Sequence, residues 1–319
     1  MSGSEILLLP ADLAFISTSL LWLGSLFGVS VEHCCNHYMP YNVTALRAHL
    51  EDNLFGQPLA MEVCHMLQGH RNSIARNEGA DKPLSISMHG WPGTGKNYVA
   101  QFIAKSLFTE GMDSQFVKLY IGRNDFPDKN RVSFYQSKLK QEMTAMLKSC
   151  PVALIIFDEV NDIPPGVLNV LKPFMDHHGV VDGVNFRNVV FLFLSNVNGN
   201  EIANHLIKLN KDRDSLVMAD FDEVLRKGVY KADGGFKDAD VIYSQLIDHF
   251  IPFLPLEKHH VEKCVEAEFK KLGNNNPTEA EIDDVMSITT YGPTESNPVY
   301  ASAGCKRVGK QAAYINQKH

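Results

Sequence analysis

Gly90-Trp91-Pro92-Gly93-Thr94-Gly95-Lys96-Asn97 has the spacing of a loop that wraps phosphate groups, with a departure in its last position. In such a loop the glycines let backbone N–H groups converge on phosphate oxygens. The lysine reaches the β and γ phosphates, and a Ser or Thr hydroxyl meets Mg²⁺. Asn97 replaces that hydroxyl. All eight residues are therefore candidate nucleotide contacts, with an amide as the candidate Mg²⁺ neighbour.

Two further constellations share this chemistry. The apolar run Val152 to Phe157 ends in Asp158-Glu159. An acidic pair at the end of a buried strand is costly unless it faces a cation or solvent, which makes Asp158 a candidate for organising Mg²⁺. Glu159 could then orient and polarise an attacking water. Phe191-Leu192-Phe193-Leu194-Ser195 likewise ends in Asn196. Its amide both donates and accepts, and could hold that water against a γ-phosphate.

These residues need a scaffold that gathers strand ends. Leu84, Ile86 and Met88 alternate with polar residues, the pattern of a half-buried strand before the loop. Tyr98, Val99, Phe102, Ile103 and Leu107 recur at helical spacing after it, placing phosphates at a helix N-terminus. Phe116 to Ile121, Val152 to Phe157, Val189 to Leu194 and Phe250 to Leu254 read as further strands. The pattern predicts an α/β fold, a parallel sheet with flanking helices whose ligands bind beyond the strands' carboxyl ends.

The composition sets bounds on these readings. A chain of 319 residues with 45% apolar residues suits one large domain with a smaller one attached. Its net charge of −7 opposes a nucleic-acid partner that needs a broad basic surface. No Lys or Arg precedes Arg47, and Leu13 to Val31 is apolar apart from small Gly, Ser and Thr. Residues 1–31 fit a secretory signal cleaved after Ser30, a retained membrane anchor, or a helix lying in one leaflet. Each of these implies entry into the secretory pathway.

Asn42-Val43-Thr44 is an N-glycosylation acceptor just past that segment. The six cysteines, Cys34, Cys35, Cys64, Cys150, Cys264 and Cys305, have no metal-site spacing. Some could pair in an oxidising lumen, with Cys64 and Cys150 expected as small buried hydrophobes.

Together these residues resemble the torsins, AAA+ ATPases of the endoplasmic reticulum lumen and nuclear envelope that are distantly related to Clp-type unfoldases. The resemblance rests on the phosphate loop with its terminal Asn97, on Phe157-Asp158-Glu159 and on Phe193-Leu194-Ser195-Asn196. Gly304-Cys305-Lys306, Asn53-Leu54-Phe55-Gly56-Gln57, Val181-Asp182-Gly183-Val184 and Pro252 to Glu257 are torsin-like as well. It covers about Cys34 to Cys305.

The resemblance implies ATP and Mg²⁺ as ligands, with Lys96 and Asn97 on the nucleotide, Asp158 on Mg²⁺, Glu159 on water and Asn196 as a sensor. Lys306 would be a second sensor that reaches the phosphates from the small domain. Leu54 to Gln57 would lie beside adenine, and Cys264 with Cys305 would form a redox-sensitive link. An α/β nucleotide domain would span 43–254 and a small helical domain 255–319, with the hinge at Pro252 to Pro255.

Where Clp-type relatives carry an arginine that acts on a neighbour's γ-phosphate, this chain reads Gln245-Leu246-Ile247-Asp248. A missing arginine finger costs on the order of 10³ to 10⁵ in turnover. Torsins obtain theirs from the lumenal domain of a membrane-bound cofactor protein. The expected function is thus a remodelling, chaperone-like ATPase activated by such a partner, with client proteins unspecified and homo- or hetero-oligomers open. A nucleotide-dependent binding module with little turnover is the alternative. A P-loop kinase fits less well, because Glu159 and Asn196 would position the water a kinase must exclude.

Overall fold

A computed structural model describes residues 32–35, 37–76, 80–177, 179–237, 239–294 and 297–318. The apolar segment at 1–31, with its proposed cleavage position, lies outside them. Helices α1 (Val43–Asn53) and α2 (Glu62–Ile74) precede strand β1 (Leu84–His89), and α3 (Lys96–Leu107) follows the phosphate loop. Strands β2 (Val117–Ile121) and β3 (Ala153–Asp158) flank α4 (Val132–Ser149). A two-stranded ribbon, β4 (Val180–Val181) with β5 (Val184–Asn185), precedes β6 (Val189–Ser195). Helices α5 (Gly199–Leu209) and α6 (Asp222–Lys231) then lead to β7 (His249–Pro252).

The five long strands form one sheet of order β2-β3-β6-β1-β7, parallel throughout. Tyr120 of β2 pairs in register with Phe157 of β3, and Phe157 with Phe193 of β6. Their rings stack with centroids 5.2 and 5.4 Å apart. Each fully buried ring contributes about 1.5–3 kcal/mol through apolar burial. The ladder also fixes register, so Asp158 and Asn196 emerge at the same sheet edge as the phosphate loop.

β1 departs from the half-buried pattern its sequence suggested. All six of its residues are buried, because it runs between β6 and β7 with apolar clusters on both faces. Its two serines are satisfied inside: Ser85 Oγ donates to Leu246 O at 2.7 Å and to Asp248 Oδ2 at 2.7 Å, and Ser87 Oγ lies 2.7 Å from His89 Nε2. Burying paired hydroxyls costs little, so alternation here marks hydrogen-bond partners rather than a wet face.

Beyond β7 the chain forms α7 (Lys258–Lys271), α8 (Glu279–Met286), the antiparallel hairpin β8 (Tyr291–Thr294) with β9 (Asn297–Ala301), and α9 (Val308–Lys318). Thr278 caps α8 with a reciprocal box to Glu281. Leu256, Val261, Phe269 and Ile315 share a third apolar cluster. The C-terminal region is therefore not purely helical, since the hairpin carries Tyr300 toward the large core.

Two disulfides are present among the described residues: Cys34–Cys150 and Cys264–Cys305, with Cα atoms 5.4 and 6.2 Å apart. Cys64 is a free buried thiol as expected. Cys150 corrects the expectation. It is fully buried but bonded, because the segment before α1 folds back to reach the start of β3, a long-range contact that spacing does not reveal. Asn42 is exposed, and its side-chain oxygen caps α1 by accepting from Ala45 N at 3.0 Å.

Candidate functional site

One cavity of about 410 Å³ opens over the carboxyl edge of the sheet. It is lined by Pro92 to Asn97 of the loop, by Asp158 and Glu159 after β3, and by Asn196 after β6. Lys306 enters from the C-terminal region. Sequence-predicted residues far apart in the chain thus meet at one place. Gly90 and Trp91 do not line it. Gly90 packs against the backbone of Phe253, while Trp91 donates from Nε1 to Asn200 Oδ1 at 2.8 Å and stands edge-on to Tyr300. These two residues anchor the loop from behind.

The loop starts α3 through Gly95, whose φ of +110° suits a residue without a Cβ. Lys96 is buried, and its Nζ donates to Gly90 O at 2.7 Å and Trp91 O at 2.9 Å. Burial pushes the Lys96 ammonium down to about 7; Asp158 opposes that shift and Lys306 adds to it. An anion entering here would restore the charge.

Asp158 Oδ2 accepts from Asn97 Nδ2 at 2.6 Å, and Asp158 Oδ1 accepts from the Glu159 amide at 2.8 Å. A carboxylate beside an amide oxygen is the hard oxygen donor set that Mg²⁺ takes, with water completing its shell. These residues fit the ion. Glu159 itself sits at φ +52°, a left-handed conformation costly for a residue with a Cβ. Asn161 ties the two strand ends together, its Oδ1 3.4 Å from the Asn196 amide.

The C-terminal region closes the cavity from the other side. Cys305 N donates to Gly93 O at 3.0 Å, and Gly304 lies against the Gly93 backbone so closely that neither position has room for a Cβ. Lys306 is exposed. Cys264, Glu268 and Lys271 line the cavity from one face of α7. Sequence reading missed Glu268 and Lys271, yet their spacing of four and seven from Cys264 was available to reveal them. The apolar residues Leu54, Phe55, Leu256 and Val308 also line the cavity. Gln57 does not. Its amide is buried, donating to Leu254 O at 2.7 Å and accepting from Leu254 N at 2.8 Å.

No arginine lines this cavity among the described residues. Leu246, at the finger position, is buried in the core beside β7. Arg226 pairs with Asp222 within α6. Arg123, just past β2, is exposed and donates from Nε to Asp162 at 3.0 Å. Sequence reading had placed no arginine there.

A parallel sheet of this order, with a phosphate loop after β1, an acidic pair after β3, a polar sensor after β6 and a small domain over the cavity, defines the AAA+ class. The chain aligns with Saccharomyces cerevisiae Hsp104 in its ADP complex at a TM-score of 0.59 and 17% identity, over 86% of this chain and 47% of that one. A closed-state Hsp104 with ATPγS and FITC casein aligns at 0.55 and 16% identity, over 86% and 46% respectively. The chain therefore spans under half the length of those Hsp104 chains.

Sequence comparison gives the family. The family model described as Torsin matches residues 29–157, and that of the Torsin-1A C-terminal domain matches 256–315. A Torsin-like protein of Drosophila melanogaster is 40% identical over 290 residues, 88% of this chain and 84% of the relative. One from Caenorhabditis elegans is 34% identical over 341 aligned positions, 97% and 93% of the two chains. This chain belongs to the torsin family.

Proposed function

We propose that this protein binds and hydrolyses ATP in the lumen of the endoplasmic reticulum and nuclear envelope. In this reading it remodels client proteins and turns over rapidly only when a membrane-bound cofactor donates an arginine. The observation that carries it is that Lys96, Asp158, Glu159, Asn196 and Lys306 converge on one cavity into which no described arginine reaches. ADP and ATPγS in the Hsp104 structures support an adenine nucleotide as the ligand.

The residues act in a definite order. Lys96 leaves the loop carbonyls for the phosphates and regains its full charge, and Lys306 adds a second cation from the small domain. Mg²⁺, held at Asp158 and Asn97, would neutralise developing phosphate charge. Glu159 accepts a proton from the attacking water, and Asn196 fixes that water's orientation. The Cys264–Cys305 link sets how Lys306 is presented, which makes the site redox-sensitive. Glycosylation at the exposed Asn42 and membrane association through 1–31 accompany lumenal residence.

The buried Leu246 and the amide at Asn97 favour a second reading, a nucleotide-dependent binding module with little turnover. Steady-state hydrolysis with and without a candidate cofactor's lumenal domain separates the two. Stimulation supports the ATPase, whereas nucleotide binding without stimulation supports the module. Protease protection in sealed microsomes, with a glycan lost in Asn42→Gln, tests the compartment. Digestion of the ATPase domain in intact microsomes contradicts it.

A further inference from the structure

Arg213 lies outside the cavity, yet it touches the backbone that carries two of the cavity's apolar walls. Its Nη1 donates to Gly56 O at 2.7 Å. Its Nη2 donates to Pro255 O at 2.9 Å and to Glu257 Oε1 at 2.8 Å. Gly56 directly follows Phe55, and Pro255 and Glu257 bracket Leu256. Phe55 and Leu256 both line the cavity. One guanidinium therefore staples the α1–α2 connection to the linker between the large and small domains.

The staple is costly to build. The Arg213 side chain is 12% exposed, and its Nε is buried without a hydrogen-bond partner. An unpaired buried donor costs about 1–3 kcal/mol, and ordering an arginine adds side-chain entropy loss. A surface ion pair with Glu257 alone would not offset that, since exposed pairs contribute about 0–1 kcal/mol. The planar fork matters here, because two nitrogens reach three acceptors on three chain positions, a geometry a lysine cannot reproduce.

We infer that Arg213 is a positioning residue for the base end of the nucleotide, acting through Gly56 and the Pro255–Glu257 linker rather than by touching the ligand. The inference rests on the proposed nucleotide site. The phosphate loop holds the other end of the ligand through contacts independent of Arg213. Its loss should accordingly weaken recognition of the base and ribose while sparing recognition of the phosphates. Preorganised walls gain affinity by removing an ordering cost that binding would otherwise meet.

The test compares ADP with pyrophosphate on the full chain by isothermal titration, for the wild type, Arg213→Ala and Arg213→Lys. ADP binding should weaken on the order of tenfold in Arg213→Ala, with pyrophosphate binding unchanged within twofold. Arg213→Lys, which keeps charge without the fork, should behave closer to Arg213→Ala than to wild type and guards against a misfolded alanine variant. In a Leu256→Ala background the Arg213→Ala effect should shrink, since the wall it positions is already truncated. Parallel loss of both ligands, or unchanged ADP affinity in both variants, overturns the inference. Wild-type protein that binds neither ligand overturns the nucleotide site itself, and this inference with it.

Discussion

The carboxyl edge of the sheet carries the charged and polar groups that a nucleotide site needs, whereas the segment just before β7 carries the apolar Leu246 where Clp-type relatives place an arginine. At the edge, Lys96 at the start of α3 donates to the Gly90 carbonyl, Asn97 beside it donates to Asp158 at the end of β3, and the Glu159 amide donates to the other Asp158 oxygen. Before β7, Leu246 and Ile247 pack into the core and Asp248 is bonded at the sheet. Leu246 fills the core and its carbonyl accepts from Ser85 Oγ, while Asp248 pairs with Lys82 and caps the Ser85 amide. A segment committed to sheet and core cannot also extend a charged side chain to a neighbour. On the proposed function, binding and positioning are thus encoded in this chain separately from transition-state charge stabilisation.

That separation can be broken at several points. Lys96→Ala should bring ATP binding below detection, measured by titration, because it removes the buried cation at the phosphate end. Glu159→Gln should retain binding and lower partner-stimulated turnover by on the order of 10² to 10⁴, the range for a lost general base. Turnover at the wild-type rate would remove Glu159 from its role.

Leu246→Arg probes the other region. If that segment were merely a vacant finger position, arginine would raise turnover. Burial predicts the reverse: a loss of about 2–4 kcal/mol in stability, read from denaturant unfolding, with no gain in activity.

The Lys96 environment gives a pH signature. Its folded-state value in the free site, about 7, lies well below the ordinary 10.5. Bound phosphates raise it again, so binding takes up a proton above pH 7. ATP affinity should consequently fall as pH rises, by on the order of tenfold between pH 7 and 8.5. Affinity that is flat across that range would mean the lysine stays charged without ligand.

The smallest expected effect is at Arg123. It stands at the active edge but is engaged with Asp162 and lies outside the cavity. Arg123→Ala should change basal turnover by less than about twofold, as for a surface pair. A large loss would identify it as an arginine acting between copies of this chain.

The contrast also explains what was legible in the sequence. Strand ends carry their chemistry in local order: an apolar run followed by Asp158-Glu159 or by Asn196 gives both the strand and its tip. The absence of a finger at Leu246 was equally local. Four features were not. Ser85 and Ser87 read as exposed because alternation records polarity and not the partners that satisfy it. The Cys34–Cys150 bridge joins residues 116 apart in sequence, a contact set by how the chain returns over the sheet. Arg213 carried no signal in the sequence, because what it holds are the carbonyls of Gly56 and Pro255, which no side-chain motif encodes. The β8–β9 hairpin was hidden within a region whose helical spacings were easier to read.

The measurement that bears most directly on the central claim is turnover of the purified chain, alone and with an arginine-bearing lumenal domain of the proposed membrane-bound cofactor. The account predicts ATP binding with slow hydrolysis alone, stimulation on the order of 10³ or less by the partner, and loss of that stimulation when the partner's arginine is replaced. The ATP-state complex should survive that replacement, because the finger acts mainly on the transition state. Fast hydrolysis by the isolated chain would contradict the account.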